Sequence, residues 1–231
     1  MRRFAVLVLC LSLLCVPVRA AEGEKLVALT FDDGPSGRFT RSLLDGLDER
    51  GAKATFLLCG YRMEQYPGLA QRIFEEGHEI GLHGYSHKCM QNMCSRDVTQ
   101  ELEQAMALVP DGCKVSFLRA PGGRCGKCVQ TAAANLGLAV LSWSVDPKDW
   151  ATNDAEAIEK EVINHVKDGD VILLHDMSDS SVEAALVIID ELQEQGFRFV
   201  TVSELAQARN TTLVPGNQYT RFYETDPKER K

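Results

Sequence analysis

Two adjacent carboxylates, Asp32 and Asp33, stand in the run Thr30-Phe31-Asp32-Asp33-Gly34-Pro35, directly after the apolar stretch Leu26-Val27-Ala28-Leu29. A short apolar run of this kind reads as a buried strand. Gly34-Pro35 ends it, because proline has no N–H to give and glycine reaches φ values that other residues avoid. Side chains alternate along an extended chain, so the two carboxylates are expected to point different ways and to hold different jobs. Further along, His83 and His87 lie four apart in His-Gly-Tyr-Ser-His. Gly81 and Gly84 argue against a long helix there, which predicts a tight loop or a single turn. With the Asp33 carboxylate, two neutral imidazoles make an open site for a catalytic divalent metal, zinc before others, the remaining positions being left to water and a substrate oxygen. The same ligand types suit an iron(II) oxygenase. That alternative leaves Asp32 and His175 without work, whereas a hydrolase uses one as base and the other as acid.

Taken singly, these residues have ordinary structural readings: Arg119 as a surface ion-pair partner, Trp150 as core, His175 as a hydrogen-bonded histidine at a strand end. Their placement along the chain changes that. Strand-like apolar runs stand at 26–31, 54–59, 79–83, 115–119, 138–145, 170–175 and 198–202. Helical patterns fill the intervals at 39–50, 62–76, 96–108, 127–136, 154–168 and 180–195, and a last short helix is expected with Ser203 as its N-cap. Gly51, Gly77, Gly137, Gly169 and Gly196 each follow a helical pattern, as a left-handed helix terminus requires. Strands and helices alternating this regularly predict parallel βα units, with near-continuous apolar strands such as Val171-Ile172-Leu173-Leu174 covered on both faces. No GxGxxG or GKS loop follows the first strand, which disfavours a nucleotide-binding open sheet. Barrel-like closure is favoured instead, with the active site at the carboxyl ends of the strands. Asp32 and Asp33, His83 and His87, Arg119, Asp146 to Trp150, and His175 all fall at such ends, and three of the chain's five histidines are among them.

The first twenty residues carry Arg2 and Arg3, an apolar run from Phe4 to about Val16, and Val18-Arg19-Ala20 at the cleavage positions. This predicts a secretory signal peptide cut after Ala20, in an extracytoplasmic protein. An uncleaved anchor is the alternative, but so short a helix spans about 20 Å against a hydrocarbon core of about 30 Å. Cleavage removes Arg2, Arg3 and Arg19 and no acid, taking the formal charge from −8 to −11. So acidic a chain has no electrostatic footprint for nucleic acid or an anionic membrane. Residues 21–210 are read as one catalytic domain and residues 211–231 as a polar tail, a surface segment or disordered. The chain is expected to be monomeric, with no integral membrane segment after cleavage. Six cysteines remain, and export favours disulfides, among Cys89, Cys94, Cys125 and Cys128, with Cys113 unpaired. Cys125-x-x-Cys128 as a redox pair, or with Cys89 and Cys94 as a structural zinc site, stays open.

Thr-Phe-Asp-Asp-Gly-Pro, His-x-x-x-His, Arg-x-Pro, Asp-x-x-Asp-Trp and Leu-x-His, in this order from Thr30 to His175, resemble the five motifs of the polysaccharide deacetylases. That family includes chitin and peptidoglycan N-acetylglucosamine deacetylases, and the resemblance extends from about Lys25 to Ala208. It implies a deformed (β/α)7 barrel of parallel strands, in keeping with the seven units counted above. It also implies removal of N-acetyl groups from N-acetylglucosamine units of a glycan polymer or oligomer, peptidoglycan or chitin-like. Alternatives are an acetyl-ester hydrolase such as an acetylxylan esterase on the same fold, or a non-catalytic sugar-binding module. Carried over, Asp32 is the general base, His175 the general acid, and Asp33, His83 and His87 the ligands of one divalent metal, Zn2+ or Co2+. Arg119 orients Asp32, Asp149 holds His175, Trp150 and Leu173 wall the acetyl methyl, and the Gly122 N–H helps hold the oxyanion. Two departures stand out. Relatives carry Ser or Thr where this chain has Gly84, so the metal loop is either looser or braced differently. Ala120 and Gly122 replace a proline and an aromatic, which removes one wall of the sugar groove.

Overall fold

A computed structural model describes residues 24–223, so the expected signal peptide and the last eight residues lie outside the described region. Strand β1, Lys25–Asp32, is buried at every position but its first, and the sheet is built around it. β2 (Ala54–Leu58) pairs with one side of β1. The other side is shared: Lys25, Leu26 and Val27 pair with β7 (Phe197–Phe199), and Ala28 to Asp32 with β6 (Val171–His175). From β2 the sheet continues through β3 (Glu79–Leu82), β4 (Phe117–Leu118), β5 (Ala139–Leu141) and β8 (Gln218–Tyr219), giving the order β6-β1-β2-β3-β4-β5-β8 with every pair parallel. An isolated bridge from Val145 to Ile172 reaches back towards β6, so the sheet curls into the deformed barrel.

The alternation of β1 divides the apolar interior in two. Val27, Leu29 and Phe31 join the large cluster under the helices. Leu26 and Ala28 face the barrel interior with Leu57, Phe117, Leu141 and Val171. The inward row then turns polar at Thr30 and Asp32, at the carboxyl end. Helix α1 (Gly37–Glu49) follows β1, while α2 (Gly60–Gln65) and α3 (Pro67–Glu75) follow β2. The one helix expected at 62–76 is thus two, because the ring of Pro67 cannot continue a helix but suits its first turn. α4 (Ser95–Met106), α5 (Lys127–Asn135), α6 (Ala155–His165) and α7 (Asp179–Glu194) come close to the sequence ranges. α8 (Val202–Ala208) closes the amino end of the barrel with Val202, Leu205 and Ala206. Its N-cap is Thr201 rather than Ser203: Thr201 and Glu204 form a reciprocal capping box.

Three further expectations differ from the structure. Up to the end of the described region, the segment after residue 210 is not loose: Gln218–Tyr219 extend the sheet beside β5, and Phe222 is buried. Gly169 does not terminate α6, which ends at His165; it lies at φ 85° where a side chain would collide with the Phe222 carbonyl. The backbone seals the contact, Phe222 N–H donating to Gly169 C=O at 2.7 Å. All six described cysteines are free, so the expected bridges among Cys89, Cys94, Cys125 and Cys128 are not formed. The two loops nevertheless meet, Arg124 donating to Gln91 Oε1 at 2.8 Å. Among the described residues, no helix is long and apolar enough to cross a membrane.

Candidate active site

Sheet register does most of the positioning. Asp32 is the last residue of β1 and stands opposite His175, the last residue of β6. One residue past their strands, the ladder continues: His83 N–H donates to Leu58 C=O at 2.8 Å and Arg119 N–H to Leu82 C=O at 2.9 Å. Four side chains from four strands are thereby held on one rim. Asp32, His83 and His175 border, and Arg119 lies directly behind, a cleft of about 400 Å³ also lined by Asp33, His87, Gly122, Gly123, Trp143, Asp146, Trp150 and Leu173.

Asp32 is buried, and fully buried Arg119 fixes it through Nη1 to Oδ1 at 2.6 Å. The same guanidinium donates to Thr30 Oγ1 at 2.9 Å and Ser142 C=O at 3.0 Å, and it lies 5.5 Å from the Trp143 ring. Asp33 departs from the expected alternation. Its backbone is left-handed (φ 72°), so both carboxylates reach the cleft and different neighbours distinguish them. Gly34, in contrast, is needed for space: a Cβ there would lie 2.5 Å from Asp176 Oδ1. Asp176 is fully buried, accepts from Thr40 Oγ1, and has its pKa pushed up to about 7 by burial.

Asp33 Oδ1 lies 3.3 Å from His83 Nε2 and 3.0 Å from His87 Nε2, yet it is buried and accepts no hydrogen bond. The His83 Nδ1–H donates to Arg119 C=O at 2.7 Å, which leaves the Nε2 lone pair facing Asp33. His87 shares the left-handed backbone of Asp33 (φ 57°). The three ligand atoms all lie within 4.8 Å of one another. A buried, unsatisfied oxygen converging with two imidazole nitrogens is the donor set of a divalent cation, and the residues fit one. Burial lowers the pKa of His83 and so favours its neutral form, which a ligand must have. Burial would raise the Asp33 carboxyl, but His87 and His83 outweigh it and hold it low; Asp33 in turn raises His87.

On the opposite side, Asp149 accepts the His175 Nδ1–H at 2.8 Å and the His175 backbone N–H, also at 2.8 Å. Burial disfavours the imidazolium, but Asp149, then Asp32 and Asp33, more than compensate and raise its pKa to about 9. The carboxylates thus favour the protonated imidazole that a proton donor needs. Trp150 is 67% exposed and Leu173 buried, so the apolar wall has one open and one closed member. Gly122 and Gly123 are both left-handed (φ 70° and 71°), and beside Gly122 the space is open.

Of the candidate site residues, Asp32, Asp33, His83, His87, Gly122, Trp150, Leu173 and His175 line this cleft, and Arg119 and Asp149 lie directly behind it. Trp143 was missed. Its signal was hidden in the apolar run 138–145, read as one strand, whereas β5 stops at Leu141 and Trp143 turns against Arg119 and Gly123. Asp176, adjoining His175, was missed too, and only its burial against Gly34 distinguishes it.

Comparison with known proteins agrees with the geometry. The family model for polysaccharide deacetylase matches residues 19–141. A peptidoglycan-N-acetylglucosamine deacetylase of Bacillus cereus is 37% identical over 193 residues, covering 81% of this chain and 91% of that protein. The corresponding enzyme of Listeria monocytogenes is 35% identical over 213 residues, 91% of this chain but 44% of its own length. Among solved structures, a family 4 acetyl xylan esterase from Clostridium thermocellum, in complex with a cobalt ion, superposes with a TM-score of 0.79 at 33% identity, covering 85% of this chain and 98% of that one. With the matched motifs at one rim of a curled parallel barrel, the chain belongs to the polysaccharide deacetylase family of hydrolases.

Proposed function

We propose that the protein is a secreted, divalent-metal-dependent deacetylase that removes N-acetyl groups from N-acetylglucosamine units of a glycan, peptidoglycan first and a chitin-like polymer second. One observation carries this reading: the unsatisfied Asp33 oxygen converges with two imidazole nitrogens between a buried Asp–Arg pair and an Asp–His pair. The named substrates of the Bacillus and Listeria relatives support peptidoglycan. The cobalt ion of the esterase structure supports a divalent cation.

Asp33, His83 and His87 would hold the cation, zinc before others, which supplies Lewis-acid polarisation of the acetyl carbonyl and of the attacking water. Asp32, fixed by Arg119, takes the proton released as water adds to the carbonyl carbon. Gly122, Leu173 and Trp150 line the cleft; the Gly122 N–H would help hold the developing oxyanion, and Leu173 with Trp150 would wall the acetyl methyl. As the C–N bond breaks, His175 gives its proton to the sugar nitrogen, and Asp149 stabilises the donor in its charged form. The products are acetate and a glucosamine residue. Secretion rests on the leader pattern of residues 1–20.

The test is acetate release from N-acetylglucosamine oligomers, peptidoglycan and acetylated xylan, before and after chelation and with zinc or cobalt restored. Release from an N-acetyl glycan that stops on chelation and returns with metal is the expected result. Turnover of acetylated xylan alone would make the protein an ester hydrolase, the reading that the Clostridium relative supports. Full activity in demonstrably metal-free protein would overturn both.

A further inference from the structure

Between His83 and His87 the chain makes a tight loop whose own geometry does not hold it: Gly84 is left-handed (φ 77°) and so is His87 (φ 57°). Its backbone polar groups are satisfied from outside. On one side, the N–H groups of Gly60 and Tyr61, at the start of α2, donate to the carbonyls of Gly84 and Tyr85 at 2.9 and 3.0 Å. On the other side stands a single carboxylate. Glu101 Oε2 accepts the N–H of Tyr85 at 3.0 Å and that of Ser86 at 2.8 Å, while Ser86 Oγ donates to Oε1 at 2.7 Å. Glu101 projects from α4, which Val98, Leu102 and Ala105 anchor in the core. The space beside Gly84 is taken: a Cβ there would lie 2.7 Å from Met90 Cε and 3.6 Å from Glu101 Oε2.

We infer that Glu101 is a positioning residue for the metal loop, its carboxylate bracing the peptides between the two histidines. It touches neither cation nor substrate. It fixes the two peptides between the histidines, and with them the spacing of His83 Nε2 and His87 Nε2. Charge-assisted acceptance of two backbone N–H groups is a strong, directional restraint, and outer-sphere groups of this kind set metal affinity by about 10–100-fold. The inference rests on the reading of Asp33, His83 and His87 as the metal ligands.

The experiment compares zinc affinity, by competition with a chromophoric chelator, in the parent protein, Glu101→Ala, Glu101→Gln and Ser86→Ala, with circular dichroism of each metal-free form. Glu101→Ala should keep the parent's spectrum, bind zinc about 10–100-fold more weakly, and recover its turnover, with KM unchanged, at saturating zinc. Glu101→Gln, which retains an acceptor oxygen, should recover most of the affinity, and Ser86→Ala, which leaves both N–H bonds intact, should lose little. If Glu101→Ala does not fold, Glu101→Asp, whose carboxylate stops one methylene short of the loop, takes its place. Zinc affinity within twofold of the parent in the truncated variant, or Glu101→Gln as weak as Glu101→Ala, overturns the inference. A parent protein that binds no zinc or other divalent ion overturns the metal reading instead.

Discussion

Asp32 and Asp33 are neighbours in one cleft with unlike surroundings, and their substitutions should separate cleanly. Asp32 is paired with Arg119, whereas Asp33 presents an unsatisfied oxygen to two imidazoles. Asp33→Ala should therefore lose metal affinity and activity together. Asp32→Asn is isosteric and should keep both metal and substrate, so that kcat falls by about 10²–10⁴ with KM little changed. Nearly parental turnover in metal-loaded Asp32→Asn would remove it as the base. His175 carries a pH prediction. Its pKa, raised to about 9 mainly by Asp149 against burial, keeps it protonated through neutral pH. In metal-free protein, NMR titration should find this imidazole well above its ordinary 6.5, and Asp149→Asn should bring it down. The sign for stability follows: a raised folded-state value stabilises fully below about 6.5, and the gain is lost as pH climbs towards about 9. A His175 that titrates at 6.5 or below in the intact protein would refute its assignment as the acid.

Among the elements, the strands and most helices were legible because apolar runs and 3.6-residue periodicity are local signals. What was hidden depends on partners distant in sequence. β8 and the burial of Phe222 cannot be read from the polar composition after residue 210, because the pairing of Gln218–Tyr219 with β5 and the seat of Phe222 against Gly169 are tertiary events. The same holds for Gly169, whose type was visible but whose reason was not. Gly169→Ala should combine left-handed strain with a backbone collision and cost about 1–3 kcal/mol or more, and Phe222→Ala about 3–5 kcal/mol. Gly169 precedes β6, at the end away from His175, so kcat should stay near parental wherever the variants are folded. Urea midpoints together with acetate release check this: a parental midpoint in Phe222→Ala would mean that the segment is not part of the folded core.

For the whole molecule, the parallel sheet converts order along the chain into proximity, which is why five short motifs from Thr30 to His175 could be read as one site before any contact was known. The disulfides expected from composition and the leader pattern are not present among the six described cysteines, which are all free. A domain of about 200 residues buries about 70% of its unfolded surface, enough to fold without covalent help. Here one apolar cluster under the helices and another inside the barrel share the sheet. The thiols divide by position. Cys89, Cys94 and Cys128 are exposed, Cys113 and Cys125 half-buried, and Cys59 is sealed behind the cleft, its pKa pushed up by burial and by Asp33 and Asp32. In reduced, folded protein a thiol reagent should therefore modify three cysteines quickly and two slowly, and reach Cys59 only on unfolding. Mild oxidation should join the 89–94 and 125–128 loops, which already touch through Arg124 and Gln91. Because the cores stand without those links, excess reductant should leave acetate release intact and lower the Tm by only a few degrees. Loss of the cooperative transition in reductant would show that the barrel depends on bridges after all, and immediate labelling of Cys59 in the native state would show that the seal behind the cleft is open.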